Sequence, residues 1–299
     1  MNPMGVTAAL ATAVSWAACA LFFTSASKRV GTLSMNHYRT LFGALLLAAA
    51  HIATFGTIIP VANHHQMSLL LTSGVIGVVV GDMLLFQSYM DIGPRLGVLI
   101  MSVGPIITAL LARWFLGERL GGLAWLGILV TLGGTTWVVA EENQKELAQR
   151  HQHLVRGISF VILSSICQSV GYVMAKPAMM GSDGVDPLSA TFIRVAAGAV
   201  AFWIIGFAKS HTWRALCDFK NKRAMLMTFG GAVLGPFIGI WLSLFALKLI
   251  PAGVASTLIS TMPVIILPMV VVIHREKVSW RAVIGAAIAV AGVAILFNS

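Results

Sequence analysis

Apolar runs close to twenty residues long follow one another along almost the whole chain, separated mostly by connections of a few residues. About 20 apolar residues let a helix cross the roughly 30 Å of bilayer hydrocarbon, where only internal hydrogen bonds can satisfy the backbone. Ten helices are predicted, near residues 4–25, 34–54, 68–90, 95–116, 121–140, 157–176, 188–208, 225–247, 251–273 and 279–297. Of 299 residues, 58% are apolar and 10% charged, too little charge to coat a soluble domain of this size. The fold class is all-α integral membrane. The start MNPMGV lacks the basic region of a cleavable signal, so the first run reads as a retained helix.

Internal repetition sets the architecture. An ungapped shift of 158 residues places Ile92 on Ile250, Ser102 on Ser260, Pro105 on Pro263, Glu118 on Glu276, Arg119 on Lys277, Gly127 on Gly285 and Gly134 on Gly292. The same shift carries Gly77 and Gly81 onto Gly235 and Gly239, and a shift of 155 pairs Ser34, Arg39 and Gly43 with Ser189, Arg194 and Gly198. Apolar matches are common by chance, but glycines, prolines and a loop glutamate in one register are not. Residues 1–140 and 157–299 therefore form two five-helix repeats joined by a polar connection, 141–156, within one integrated membrane domain. Five is odd, so the second copy enters the membrane from the opposite side. Inverted repeats around a central midplane cavity are a common plan of secondary transporters.

Charge suggests an orientation. One face carries fourteen Lys and Arg in its connections, against Arg113, Arg119, Lys176 and Lys248 on the other. Positive-inside bias puts the rich face in the cytoplasm and both termini outside. The net charge of +10 is scattered, with no basic stripe, so nucleic acid is not an expected partner. Cys19, Cys167 and Cys217 show no CxxC spacing, and neither a disulfide framework nor a metal site is expected. Walker A and HExxH sequences are absent, and most histidines lie in polar connections. No cofactor or enzymatic activity is predicted.

Asp82 is the acidic residue in the middle of an apolar span, costly there unless paired, protonated or facing water. Arg39 lies within about 5 Å of its depth, at 1.5 Å per helical residue. Two readings stay open: a structural ion pair, or a protonatable coupling group. Arg39 and Arg194 are near enough to helix ends to snorkel. Other polar or amphipathic groups in the spans supply cavity candidates for substrate binding: Trp16, His37, Tyr38, Asp82, Gln87, Gln168, Tyr172, Trp241, Ser256 and Ser260. Such groups concentrate on helices 1–4 and 6–9, leaving 5 and 10 peripheral. Pro105 and Pro263 each remove a backbone donor from mid-helix and are candidate hinges. The paired glycines read first as close helix packing.

VSWAACALFFTSASK (14–28), ICQSVGYVMAK (166–176), Arg39, Arg194, Pro105, Pro263, FLGERL (115–120) and IHREKV (273–278) together resemble the EamA type of the drug/metabolite transporter superfamily over the whole chain. Departures are Thr24 where the first repeat commonly has Lys, Gln168 where the second commonly has Trp, and His274 in place of a glycine. The resemblance implies a monomeric, multi-pass protein of the bacterial inner membrane, whose partners are the lipid bilayer and a small-molecule substrate. It implies export of amino acids or related metabolites, aromatic ones included, driven by a proton gradient or the substrate's own gradient. The family is commonly drawn with cytoplasmic termini, opposite to the charge count. An uncoupled facilitator, a channel or an intramembrane enzyme would share much of this pattern.

Overall fold

The computed structural model describes residues 1–92, 97, 100–141, 153–208, 217–265 and 279–298. Arg95, the connection 142–152, residues 209–216 and residues 266–278, with His274, Arg275, Glu276 and Lys277, lie outside the described residues. Ten apolar helices run through the rest: α1 (residues 3–30), α2 (residues 32–55), α3 (His64–Ile92), α4 (Gly104–Phe115), α5 (Gly122–Glu141), α6 (Leu154–Ala178), α7 (Pro187–Ala208), α8 (Lys222–Leu249), α9 (Ala252–Ile265) and α10 (Trp280–Phe297). Seven are long and apolar enough by themselves to cross a membrane, and α4, α5 and α9 carry shorter apolar stretches. The chain is an all-α membrane protein in two five-helix repeats of opposite sense.

One boundary differs from the sequence expectation. The polar character of residues 26–33 predicts a connection between two helices, but α1 and α2 are helical up to either side of Gly31, whose φ of 80° and ψ of 162° are non-helical and which alone separates them. That positive-φ backbone suits glycine, which has no Cβ to clash. Lys28 and Arg29 therefore occupy the last helical turn of α1.

The two copies agree in backbone detail as well as in sequence. Val75–Gly81 in α3 and Val233–Gly239 in α8 are both π-helical, and an offset of 158 carries one onto the other. The same offset relates two helix breaks, at Ser102–Val103 before α4 and at Ser260–Thr261 within α9. In each, the proline two or three residues on has no N–H for the preceding turn, and the chain restarts on the carbonyl of Val103 or Thr261. Ile107 N and Ile265 N both donate to those carbonyls at 3.2 Å. Pro105 and Pro263 thus stand at equivalent kinks.

Packing crosses between the repeats. α1 of the first repeat lies against α8 of the second, and α6 of the second against α3 of the first. The π-segment glycines make this possible. A Cβ on Gly239 would stand against Trp16, and one on Gly81 would meet Gln168 at 3.2 Å. Helices α5 and α10 pair with each other instead, and a Cβ on Gly134 would lie 2.6 Å from the carbonyl oxygen of Gly285 and 2.8 Å from Cα of Ala289. Without a hydrophobic drive between helices in lipid, such close backbone approach is what holds the pair.

Adjacent glycines test this. A Cβ on Gly133 would have nothing within 4 Å, whereas one on Gly134 would face backbone. Gly134→Ala is expected to lower stability in detergent by about 1–3 kcal/mol through overpacking, while Gly133→Ala leaves the melting temperature unchanged or higher. Equal effects would contradict the packing described.

Candidate functional site

A cavity of about 190 Å³ lies between the repeats, lined from α1, α2, α3, α4, α6, α7, α8 and α9 and by the Met101–Ser102 turn. Among the described residues, none of α5 or α10 lines it. The π-helical segments supply Val78 and Gly235 and the helix breaks supply Ser102, Pro105, Ser260 and Pro263. Irregular backbone therefore borders an internal space where water can reach it. Aromatic rings of Trp16, Phe23, Phe86, Tyr89 and Tyr172 share the wall with hydroxyls of Thr108, Ser165, Ser169, Ser243 and Ser256.

Asp82 opens α3's last segment directly after the π-turn, and the Arg39 Nη2 donates to its Oδ2 at 2.7 Å. Gln168 Nε2 donates to its Oδ1 at 2.6 Å and also reaches the Gly77 carbonyl at 3.3 Å. Both carboxylate oxygens are thereby occupied. The Arg39 guanidinium lies 5.6 Å from the Phe23 ring centroid and 5.4 Å from that of Phe86, a geometry that favours a cation over the ring faces. The structure therefore contains the ion-paired arrangement.

Arg39 and Arg194 do not snorkel. They are 4% and 2% exposed, and both line the cavity. Each begins about two turns inside its helix, yet Arg39 turns inward to Asp82, and Arg194 fills a space that Gly77 of the π-segment leaves open. A Cβ on Gly77 would meet Arg194 Nη2 at 3.3 Å.

Of the sequence candidates, Trp16, Asp82, Gln168, Tyr172, Ser256, Ser260, Pro105 and Pro263 line the cavity. Four others point elsewhere. His37 is buried between α2 and α7, where its ring lies 5.3 Å from Trp203 and where a Cβ on Gly206 would strike it. Tyr38 stacks toward Phe42 and Phe219. Gln87 donates to Asp91 Oδ1 at 3.2 Å, one turn along α3, and Trp241 is 36% exposed on the outer side of α8. A polar residue in an apolar span is equally at home in a helix interface, and only helix rotation decides between the two.

Sequence reasoning missed a polar tie between the repeats on the face that carries the termini. Glu118 Oε1 pairs with Lys176 Nζ at 2.6 Å, and Glu118 Oε2 accepts the N–H of Ala252 at 2.8 Å, capping α9. Lys176 Nζ also donates to the Ile250 carbonyl at 2.7 Å. One glutamate of the first repeat thus ties together the ends of α6 and α8 and the start of α9. Just inside, Thr108 Oγ1 donates to Ser169 Oγ at 2.9 Å. The repeated Glu in FLGERL and IHREKV was the available signal. On the other face, Arg156 makes two bonds to Asp91, at 2.8 and 2.7 Å. Among the described residues no group of three or more His, Cys, Asp or Glu could hold a metal.

Comparison with known proteins follows the same division. Residues 3–140 and 155–298 each match the EamA-like transporter family. A protein of Synechocystis sp. described as an uncharacterized transporter is 27% identical over 169 residues. That match covers 51% of this chain and 50% of the other, so the chain spans about half the length of the curated relative it matches. A solved crystal structure superposes with a TM-score of 0.75 at 17% identity, over 99% of this chain and 96% of that one, a likeness of fold.

The Arg39–Asp82 pair yields a direct test. Asp82→Asn leaves a buried guanidinium without its counter-charge and is expected to cost about 3–5 kcal/mol. Adding Arg39→Gln should recover part of that loss in a double-mutant cycle of detergent melting. A stable Asp82→Asn protein whose transport has lost its dependence on a pH gradient would instead identify Asp82 as a coupling group.

Proposed function

Because the chain belongs to the EamA-like transporter family, we propose that it is a secondary exporter of small metabolites, amino acids being the best-fitting class and aromatic ones included. The observation that carries this reading is the cavity between inverted repeats, walled by aromatic rings, hydroxyls and one ion pair. A wall of that composition suits a small molecule with an apolar body and a few polar groups. No nucleotide-binding sequence accompanies it, so the energy comes from an ion or substrate gradient.

Alternating access follows from the repeat. Glu118, Lys176 and the start of α9 are tied together on the face of the termini, and this tie serves as the closure of that end. Exchange of the two repeats' conformations would open that end and close the other; in sequence, Glu276 is the repeat counterpart of Glu118. At the offset of 152 that pairs Trp16 with Gln168 and Lys28 with Met180, Thr24 stands where the second repeat has Lys176.

Basic residues support placing the face opposite the termini in the cytoplasm of a bacterial inner membrane. Cys217 is exposed on that face, whereas Cys19 and Cys167 are buried. It should therefore resist an impermeant thiol reagent in intact cells and react after permeabilisation. In proteoliposomes, unlabelled amino acid trapped inside should drive counterflow of labelled amino acid, and a pH gradient should drive uphill accumulation. Counterflow without pH-driven accumulation would identify a facilitator, and the absence of counterflow for every amino acid would overturn the reading.

A further inference from the structure

The two arginines of the cavity are repeat equivalents, related by an offset of 155, but their surroundings differ in charge. Arg39 has Asp82. The residue that the repeat places opposite Arg194, 158 positions beyond Asp82, is Ile240, which also lines the cavity. Arg194 is 2% exposed, and Nη1 donates to the Gly171 carbonyl at 3.2 Å. Its Nε has no hydrogen-bond partner, and its guanidinium lies 6.0 Å from the Tyr172 ring centroid. Among the described residues no carboxylate stands within ion-pair distance of it. A guanidinium offers five donors in a fixed fork, and leaving such a charge buried without an anion is costly. With Asp82 already engaged by Arg39 and Gln168, the described lining of the cavity holds one guanidinium more than it holds carboxylates.

We propose that the transported molecule carries a carboxylate and that Arg194 binds it, so that the substrate supplies the acid missing from the second repeat. The inference rests on the cavity being the transport site. Carboxylate and guanidinium match as paired acceptors and donors, and the neighbouring rings of Tyr172, Trp16 and Phe86 would hold the apolar remainder. Pairing of Asp82 with Arg39 removes the repulsion that a lone carboxylate would exert on an arriving anion. An α-amino acid satisfies this pattern, and so does its deaminated analogue. Its carboxamide does not.

The test uses purified full-length protein and L-phenylalanine, L-leucine and L-methionine, each beside its carboxamide and its deaminated acid, with affinity read from ligand-induced shifts in melting temperature and from competition in counterflow. Acids are expected to bind roughly tenfold to a hundredfold more tightly than the matching amides, the range for a hydrogen bond to a charged group. Arg194→Gln should erase that preference and Arg194→Lys should retain part of it. Because Arg194→Gln could fail to fold, Ile240→Asp provides an independent variant. It restores the missing acid, so it should fold as well as the parent yet lose the acids by the same factor. Equal binding of acid and amide by the parent, or undiminished acid binding by folded Ile240→Asp and Arg194→Gln, would overturn the carboxylate assignment while leaving amino-acid transport standing. Failure of every member of the panel to bind or exchange would overturn both.

Discussion

Hydrocarbon solvates no backbone N–H or C=O, and the placement of every irregular stretch within the described spans follows from that constraint. The two π-helical segments and the two proline breaks all border the central cavity, where carbonyls released from the i to i+4 ladder can meet water, hydroxyls or side-chain donors. Gln168, for instance, donates to the Gly77 carbonyl within the π-turn of α3. α5 and α10, which do not reach the cavity, remain regular and associate through glycines. Cavity and distortion are thus one feature: the helices bend where a space exists to satisfy them, and bending opens that space.

Charge inside the membrane obeys a similar economy of placement. Asp82 sits between Arg39 and Gln168, and Glu118 between Lys176 and the first N–H of α9, so the opposite repeat or a helix end answers each of them. Arg194 departs from this rule. Inversion symmetry makes the departure visible, because its twin shows what a complete environment contains. The second repeat has Ile240 where the first has Asp82, while both have the arginine, so the described lining holds one guanidinium more than carboxylates on the same helix scaffold.

Much of this was legible in the residues. Ten spans, their inverted duplication and the equivalence of Pro105 and Pro263 could be read because glycine, proline and glutamate recur in register. Depth counting brought Asp82 and Arg39 together. The π-turns were not legible: each adds a residue to a helical turn, but both copies carry it, so the alignment needs no gap. The break between α1 and α2 was misplaced because a polar stretch containing Lys28 and Arg29 looks like a connection, although a single Gly31 suffices to reverse the chain. His37, Tyr38, Gln87 and Trp241 were misdirected because the orientation of an almost wholly apolar helix leaves no periodic signal. The arginines defied snorkelling for a related reason: Asp82 draws Arg39 inward and Gly77 of the facing helix leaves room for Arg194, and neither is written in the arginine's own stretch of sequence.

The central claim is that the two repeats exchange conformations so that the cavity opens to one face at a time. Spin-label pairs at Lys28 with Met90, and at Met180 with Lys248, report the two faces from repeat-equivalent positions. Double electron–electron resonance on the reconstituted protein should show two distance populations for each pair, with substrate or a pH change shifting the two pairs in opposite directions. A single unchanging distance at both faces, or widening of both together as in an open pore, would contradict alternating access.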